Sequence, residues 1–200
     1  PHNLALWQWI CGMPTLLDVH MHMGKWHDIE VEDDVTAYCE YKNGATGTFV
    51  TSTGDYPGTN RFEIVLDGGT LVCDKKSLTL AQLDKPIDVY SAENRTAVFG
   101  HPTSTLSNVE TDGQNPQHAG VLNAFAGAIL RGEPLVADGR EGINGLLISN
   151  AMHLSAWTGK AVTLPFDEQL FYDELMKRVA TSRRKSGAAA GGAADTEGSY

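Results

Sequence analysis

The sequence predicts an α+β protein built on an antiparallel β-sheet. Two alternating runs, 35–41 and 45–52, flank Lys42-Asn43-Gly44, and two more, 61–66 and 70–73, flank Asp67-Gly68-Gly69. Such junctions are hairpin turns. Consecutive hairpins pair antiparallel, because a parallel pair needs a long crossover. Helical periodicity takes over after residue 115, and strands followed by helices is the α+β order.

The chain opens on Leu4, Leu6, Trp7, Trp9 and Ile10, a segment apolar all round that reads as a buried helix stopped by Gly12 and Pro14. That abrupt start predicts a further domain upstream. Strands are expected from Thr15 to about Tyr90, with Ser77 to Leu83 and Ile87 to Tyr90 following the two hairpins. A loop is expected from Gly100 to Asn115. Pro116 then suits a first helical turn, Val121, Leu122, Phe125 and Ile129 make an apolar stripe, and Gly132 ends it. Asp138-Gly-Arg-Glu141 resembles a capping box opening a helix to Gly159. A last helix starts after Asp167 and carries Phe171, Leu175 and Val179.

Composition narrows the partners. A formal charge of -10 argues against nucleic acid, whose phosphates need clustered Lys and Arg. The basic cluster Lys177, Arg178, Arg183, Arg184 and Lys185 reads as a solvated helix end. No apolar run reaches the roughly 20 residues of a membrane span. Cys11, Cys39 and Cys73 form no CxxC pair, which fits free thiols in a reducing cytoplasm.

Four stretches together resemble one known family. Pro1 to Gly12 looks like a helix that carries a catalytic histidine. Gly24-Lys-Trp-His-Asp-Ile-Glu-Val-Glu-Asp-Asp-Val-Thr-Ala-Tyr38 resembles the entry to a large sheet. Asn43 to Gly54, with Pro57-Gly-Thr-Asn-Arg61, looks like a central hairpin and loop. Gln117 to Ile129, through Ser155-Ala-Trp-Thr-Gly159, is similar to a closing helix pair. In this order they resemble the C-terminal domain of Gfo/Idh/MocA oxidoreductases, which implies a dihydrodipicolinate reductase-like fold: α+β, with an open, mostly antiparallel β-sheet and helices packed on one face.

The resemblance implies that residues 1–182 form a substrate-binding and oligomerisation domain, followed by a basic, then Gly/Ala-rich disordered tail over 183–200. It implies an N-terminal Rossmann partner domain that binds NAD or NADP, a sugar, inositol or other polyol as substrate, and a cytoplasmic homodimer or homotetramer paired through the sheet. This chain alone is not expected to be active. Gly139, Gly142 and Gly145 sit three apart inside a predicted helix and do not make the G-x-G-x-x-G turn that grips a dinucleotide.

His2 takes the position of the catalytic histidine, and imidazole suits an alcohol proton because it titrates near neutrality. His27, Asn60 and Arg61 are assigned to substrate. Ala5 stands where the family commonly has Asp, which supports an alternative reading: a non-catalytic sugar-binding or assembly module. His20 and His22 share a strand face that can reach one metal ion, but no third ligand is fixed by spacing and a polar face is the plainer reading. The acidic run Glu30, Glu32, Asp33 and Asp34 reads as a solvated turn, and His118 as a buried, hydrogen-bonded residue.

Overall fold

The computed structural model describes residues 2–75, 77–96 and 98–183. All but the first residue of the expected tail lies outside them. The chain divides into two units, one formed by the segment up to Gly54 together with the segment from Ala137, the other by Asp55–Val136.

The first unit contains α1 (His2–Cys11), β1 (Leu16–Met23), β2 (Glu32–Glu40) and β3 (Thr46–Ser52). The second holds β4 (Arg61–Leu66), β5 (Gly69–Asp74), β6 (Ser77–Leu83), α2 (Ile87–Glu93), β7 (Ser104–Asn108) and α3 (Gln117–Arg131). The chain then completes the first unit with α4 (Gly142–Thr158), β8 (Val162–Thr163) and α5 (Glu168–Thr181). The strands form two antiparallel four-stranded sheets, β3-β2-β1-β8 and β4-β5-β6-β7. The α+β class and the antiparallel pairing are therefore as expected, with the strands shared between two sheets.

Alternation builds the first core. Leu17 and Val19 of β1 and Val35, Ala37 and Cys39 of β2 point inward. Helix α4 meets them with Ile148, Ala151, Met152 and Ser155, spaced three and four apart so that they share one helix face. Burying the Leu, Val, Ile and Met side chains among these stabilises by about 1.5–3 kcal/mol each. The β2–β3 hairpin closes at Gly44, whose φ of 86° is left-handed and whose N–H donates to the Tyr41 carbonyl.

Six local expectations change. Residues 87–90 form the start of α2, because Pro86 presets the entry, Asp88 favours the first turn and Asn94 caps the Tyr90 carbonyl. Inside the loop expected over 100–115, Ser104–Asn108 adds as an edge strand to β6 through backbone pairing alone, all five side chains being exposed. Helix α1 buries only Trp7, with Leu6, Trp9 and Ile10 between 44% and 65% exposed, because it seats one stripe and not its whole surface. Asp138 caps a 3-10 turn, Gly139–Glu141, before α4 begins. His118 is exposed, not buried. The apolar stripe of α3 is exposed as well, Phe125 at 56% and Ile129 at 67%.

Candidate functional site

The β1–β2 register shifts between His22 and Met23, and the chain leaves the sheet there to return at Glu32. What folds the intervening loop is Asp33. It occupies the inward row of β2, and its side chain has no solvent exposure. Its carboxylate accepts the backbone N–H groups of Lys25 at 2.9 Å, Trp26 at 2.7 Å and His27 at 3.0 Å. Burial pushes this carboxyl up, but the N–H donors of Trp26, Lys25 and His27 outweigh it and hold it below the usual carboxylate range. Trp26 lies over Gly54, where a Cβ would stand only 2.6 Å from the indole.

Asp34 faces the other way and gathers the outer side of the same loop. Lys25 Nζ lies 2.9 Å from Oδ2, His22 Nδ1 3.0 Å from Oδ1 and Trp26 Nε1 3.4 Å from Oδ2. The Lys25 and His22 bonds lead in bringing its carboxyl down to about 2. The expected solvated turn is thus corrected: Asp33 is a buried hub, Asp34 binds Lys25 and His22, and Glu30 and Glu32 reach the C-terminal helices. His20 and His22 lie on the exposed face, and among the described residues no three His, Cys, Asp or Glu side chains are grouped to hold a metal.

The loop presents His27. Its Nδ1 lies 3.0 Å from Thr53 Oγ1 and 3.4 Å from Asp33 Oδ2. The Thr53 hydroxyl donates to the Asp33 carbonyl, so its oxygen accepts the His27 Nδ1–H. In the neutral ring this leaves Nε2 as an acceptor, on a half-exposed side chain. Beside it stand the Trp26 indole, 53% exposed, and the Lys25 ammonium, 4.8 Å from the indole centroid.

His2 opens α1 and is exposed. Its helix is fixed by Trp7, stacked on Phe49 with centroids 5.8 Å apart and planes inclined by 13°, and by packing on α4. Ala5, three positions later, is also exposed.

Asn60 and Arg61 belong to the second unit. The Arg61 guanidinium is engaged by Glu63 at 2.6 Å and Asp74 at 3.7 Å, both its neighbours on the sheet. The Asn60 carbonyl accepts the Lys75 N–H at 3.2 Å, and its side chain is exposed. Among the described residues no hydrogen bond or ion pair joins His2 to His27 within the first unit. Reading the sequence missed Asp33, Lys25 and Trp26. One signal for Asp33 was present: it continues the inward row of Val35, Ala37 and Cys39.

Dinucleotide binding needs a glycine turn between a strand end and a helix start. Gly139, Gly142 and Gly145 follow an irregular segment and lie in the 3-10 turn and the first turns of α4, so these residues do not fit a pyrophosphate.

Residues 1–72 match the GFO/IDH/MocA C-terminal domain. Solved structures share the fold. Levoglucosan dehydrogenase, in complex with NADH and levoglucosan, is 16% identical with a TM-score of 0.62 over 83% of this chain and 49% of its own. UDP-N-acetylglucosamine 3-dehydrogenase GnnA from Acidithiobacillus ferrooxidans is 18% identical, TM-score 0.60, over 77% of this chain and 46% of its own. The WlbA dehydrogenase from Bordetella pertussis, in complex with NADH and UDP-GlcNAcA, is 19% identical, TM-score 0.52, over 83% and 43%. This chain therefore spans less than half the length of each. No curated protein sequence matches it.

Proposed function

We propose, from the match of residues 1–72 to the GFO/IDH/MocA C-terminal domain, that this chain forms the substrate-binding and subunit-pairing part of a dehydrogenase acting on a sugar or related polyol. NAD or NADP supplies the hydride chemistry when bound, held by a partner Rossmann domain. The observation that carries the reading is the loop folded on Asp33, which fixes the His27 ring by Nδ1 and leaves Nε2 as an acceptor for a ligand hydroxyl. Trp26 offers an apolar ring edge beside Lys25, a pairing suited to the mixed C–H and O–H surface of a sugar.

His2, at the exposed start of a helix anchored by Trp7, takes and returns the hydroxyl proton. Asn60 supplies a further hydrogen bond to substrate. Arg61 contributes less than the sequence alone suggests, since Glu63 and Asp74 already occupy its guanidinium. Subunit pairing is supported by the second sheet, where Phe62, Ile64, Leu71 and Leu80 share a face and are only half-buried. Ala5 favours the rival reading of a sugar-binding module without catalysis, as it gives His2 no acidic neighbour.

The test joins this chain to its dinucleotide-binding domain and assays hexoses, anhydro-sugars and nucleotide sugars with NAD+ and NADP+. On the substrate found, His2→Ala is expected to lower turnover by roughly 10²–10⁴-fold. His27→Ala is expected to raise KM more than it lowers kcat. Absence of turnover, with sugar binding retained, establishes the module reading instead. Sedimentation of this chain at tens of micromolar checks pairing, and a strictly monomeric mass refutes it.

A further inference from the structure

Beneath α5, the first unit holds a cavity of about 600 Å³, within the range of about 300–1,000 Å³ typical of small-molecule sites. Met23 and Val31 line it from the β1–β2 side and Leu175 and Val179 from α5. Trp157 and Phe171, stacked with centroids 5.5 Å apart, form an aromatic wall. Helix α5 is held at both ends of this space. Asp167 caps its start, and at its finish the Glu30 carboxylate accepts the Ser182 hydroxyl at 2.6 Å and the Arg183 N–H at 3.1 Å.

The charges on the wall are already paired. His153 Nδ1 donates to the Ser149 carbonyl at 2.8 Å, and its Nε2 meets Glu32 Oε2 at 3.0 Å. A carbonyl only accepts, so Nδ1 carries the donor to Ser149, and Nε2 and the Glu32 carboxylate occupy one another at hydrogen-bond distance. Arg178 is bound to Glu174 at 2.9 Å and lies 4.3 Å over the Trp157 ring. Glu30 is satisfied by the end of α5. An ionic ligand entering here would have to break one of these pairs or remain unpaired beside apolar carbon. One lining side chain is different: the Asn150 carboxamide makes no hydrogen bond among the described residues, and it offers two donors and one acceptor.

We propose that this cavity binds an uncharged, largely apolar ring compound carrying one amide-type edge, which pairs reciprocally with Asn150 while its body lies among Leu175, Val179, Met23 and Val31. The paired ions reject charged relatives of the same shape, and the carboxamide sets the ligand's orientation. The site does not depend on the dehydrogenase reading.

Calorimetric titration of the full 200-residue chain tests this with three probes of matched size: 2-quinolone, 2-naphthoate and 2-naphthylmethylammonium. The neutral lactam is expected to bind one-to-one with a micromolar Kd, and both ions at least about tenfold more weakly. Asn150→Leu is expected to weaken the lactam by roughly tenfold, the loss of its hydrogen bonds. Val179→Trp, on the cavity side of an otherwise solvent-facing helix, is expected to fill the space and abolish binding with the fold intact by circular dichroism. If Asn150→Leu does not fold, Val179→Trp alone decides. The proposal is overturned by absence of saturable lactam binding, by equal affinity for either ion, or by undiminished binding to a folded Asn150→Leu or Val179→Trp chain.

Discussion

In the unit that joins β1 to α4, Leu17 and Ile148 have no exposed surface and Met152 has 2%. In the meander of β4 to β7, Val65 stands 73% exposed and Leu106 74%, and among the described residues every buried large apolar side chain belongs to the first unit. Both units have complete strand ladders, so hydrogen bonding does not separate them. The difference lies in what covers the sheet: β1 and β2 have a helix over their apolar face, whereas the apolar side chains on β4 to β7 remain half-buried or exposed. A ladder fixes geometry, and burial of its face supplies most of the stability.

The sharpest way to break this comparison is to cut the same kind of side chain in both units. Leu17→Ala or Ile148→Ala is expected to cost about 2–5 kcal/mol in denaturant unfolding, and Val65→Ala no more than about 0.5 kcal/mol. Similar losses in both units would show that the meander has a core of its own.

A second test removes a hydrogen bond from the packed unit. β8 pairs with β1 only at Leu16 and Leu17, and the next N–H on that edge, from Val19, donates to Ser155 Oγ at 3.0 Å. Ser155 has no exposed surface. Ser155→Ala leaves that buried N–H without a partner and is expected to cost about 1–3 kcal/mol by the same measurement. Hydrogen exchange sharpens the contrast: amides of β1 and β2 are expected to exchange near the global unfolding free energy, and those of β6 and β7 well below it.

Acid probes the loop. The Asp34 carboxyl is depressed from 3.8 to about 2 by Lys25 and His22. A group whose folded value is depressed stabilises the protein above its unfolded value and loses that contribution as pH falls through the folded one. Melting temperature is therefore expected to fall between about pH 4 and pH 2, and Asp34→Asn to flatten that part of the curve. The smallest effect is expected at Arg61, whose ion pair with Glu63 is nearly half exposed on both sides. Arg61→Ala is expected to leave the denaturant midpoint essentially unchanged.

Much of this was legible in the residues because the signals were local. Asn43-Gly44 and Asp67-Gly68 fix two hairpins, Asp167 caps α5 by accepting the Gln169 and Leu170 N–H groups, and Gly132 ends α3. Residues 87–90 were misread because a short mixed run carries no decisive period, and Pro86 with Asn94 settles it as a helix. β7 was invisible because it contributes backbone pairing and no inward side chain.

The candidate site divides the same way. The sequence by itself determined the antiparallel α+β pattern, the family resemblance and the presence of His2 and His27, since each depends on residue type and neighbours in the chain. Only the tertiary structure decided that Asp33 lies inside and folds the Lys25–His27 loop, that Arg61 is occupied by Glu63 and Asp74, and that the stripe of α3 stays uncovered. Periodicity states which face of an element is apolar. What covers that face, and which donors converge on a buried carboxylate, depends on segments far apart in the chain, as Glu32 and His153 show across 121 positions.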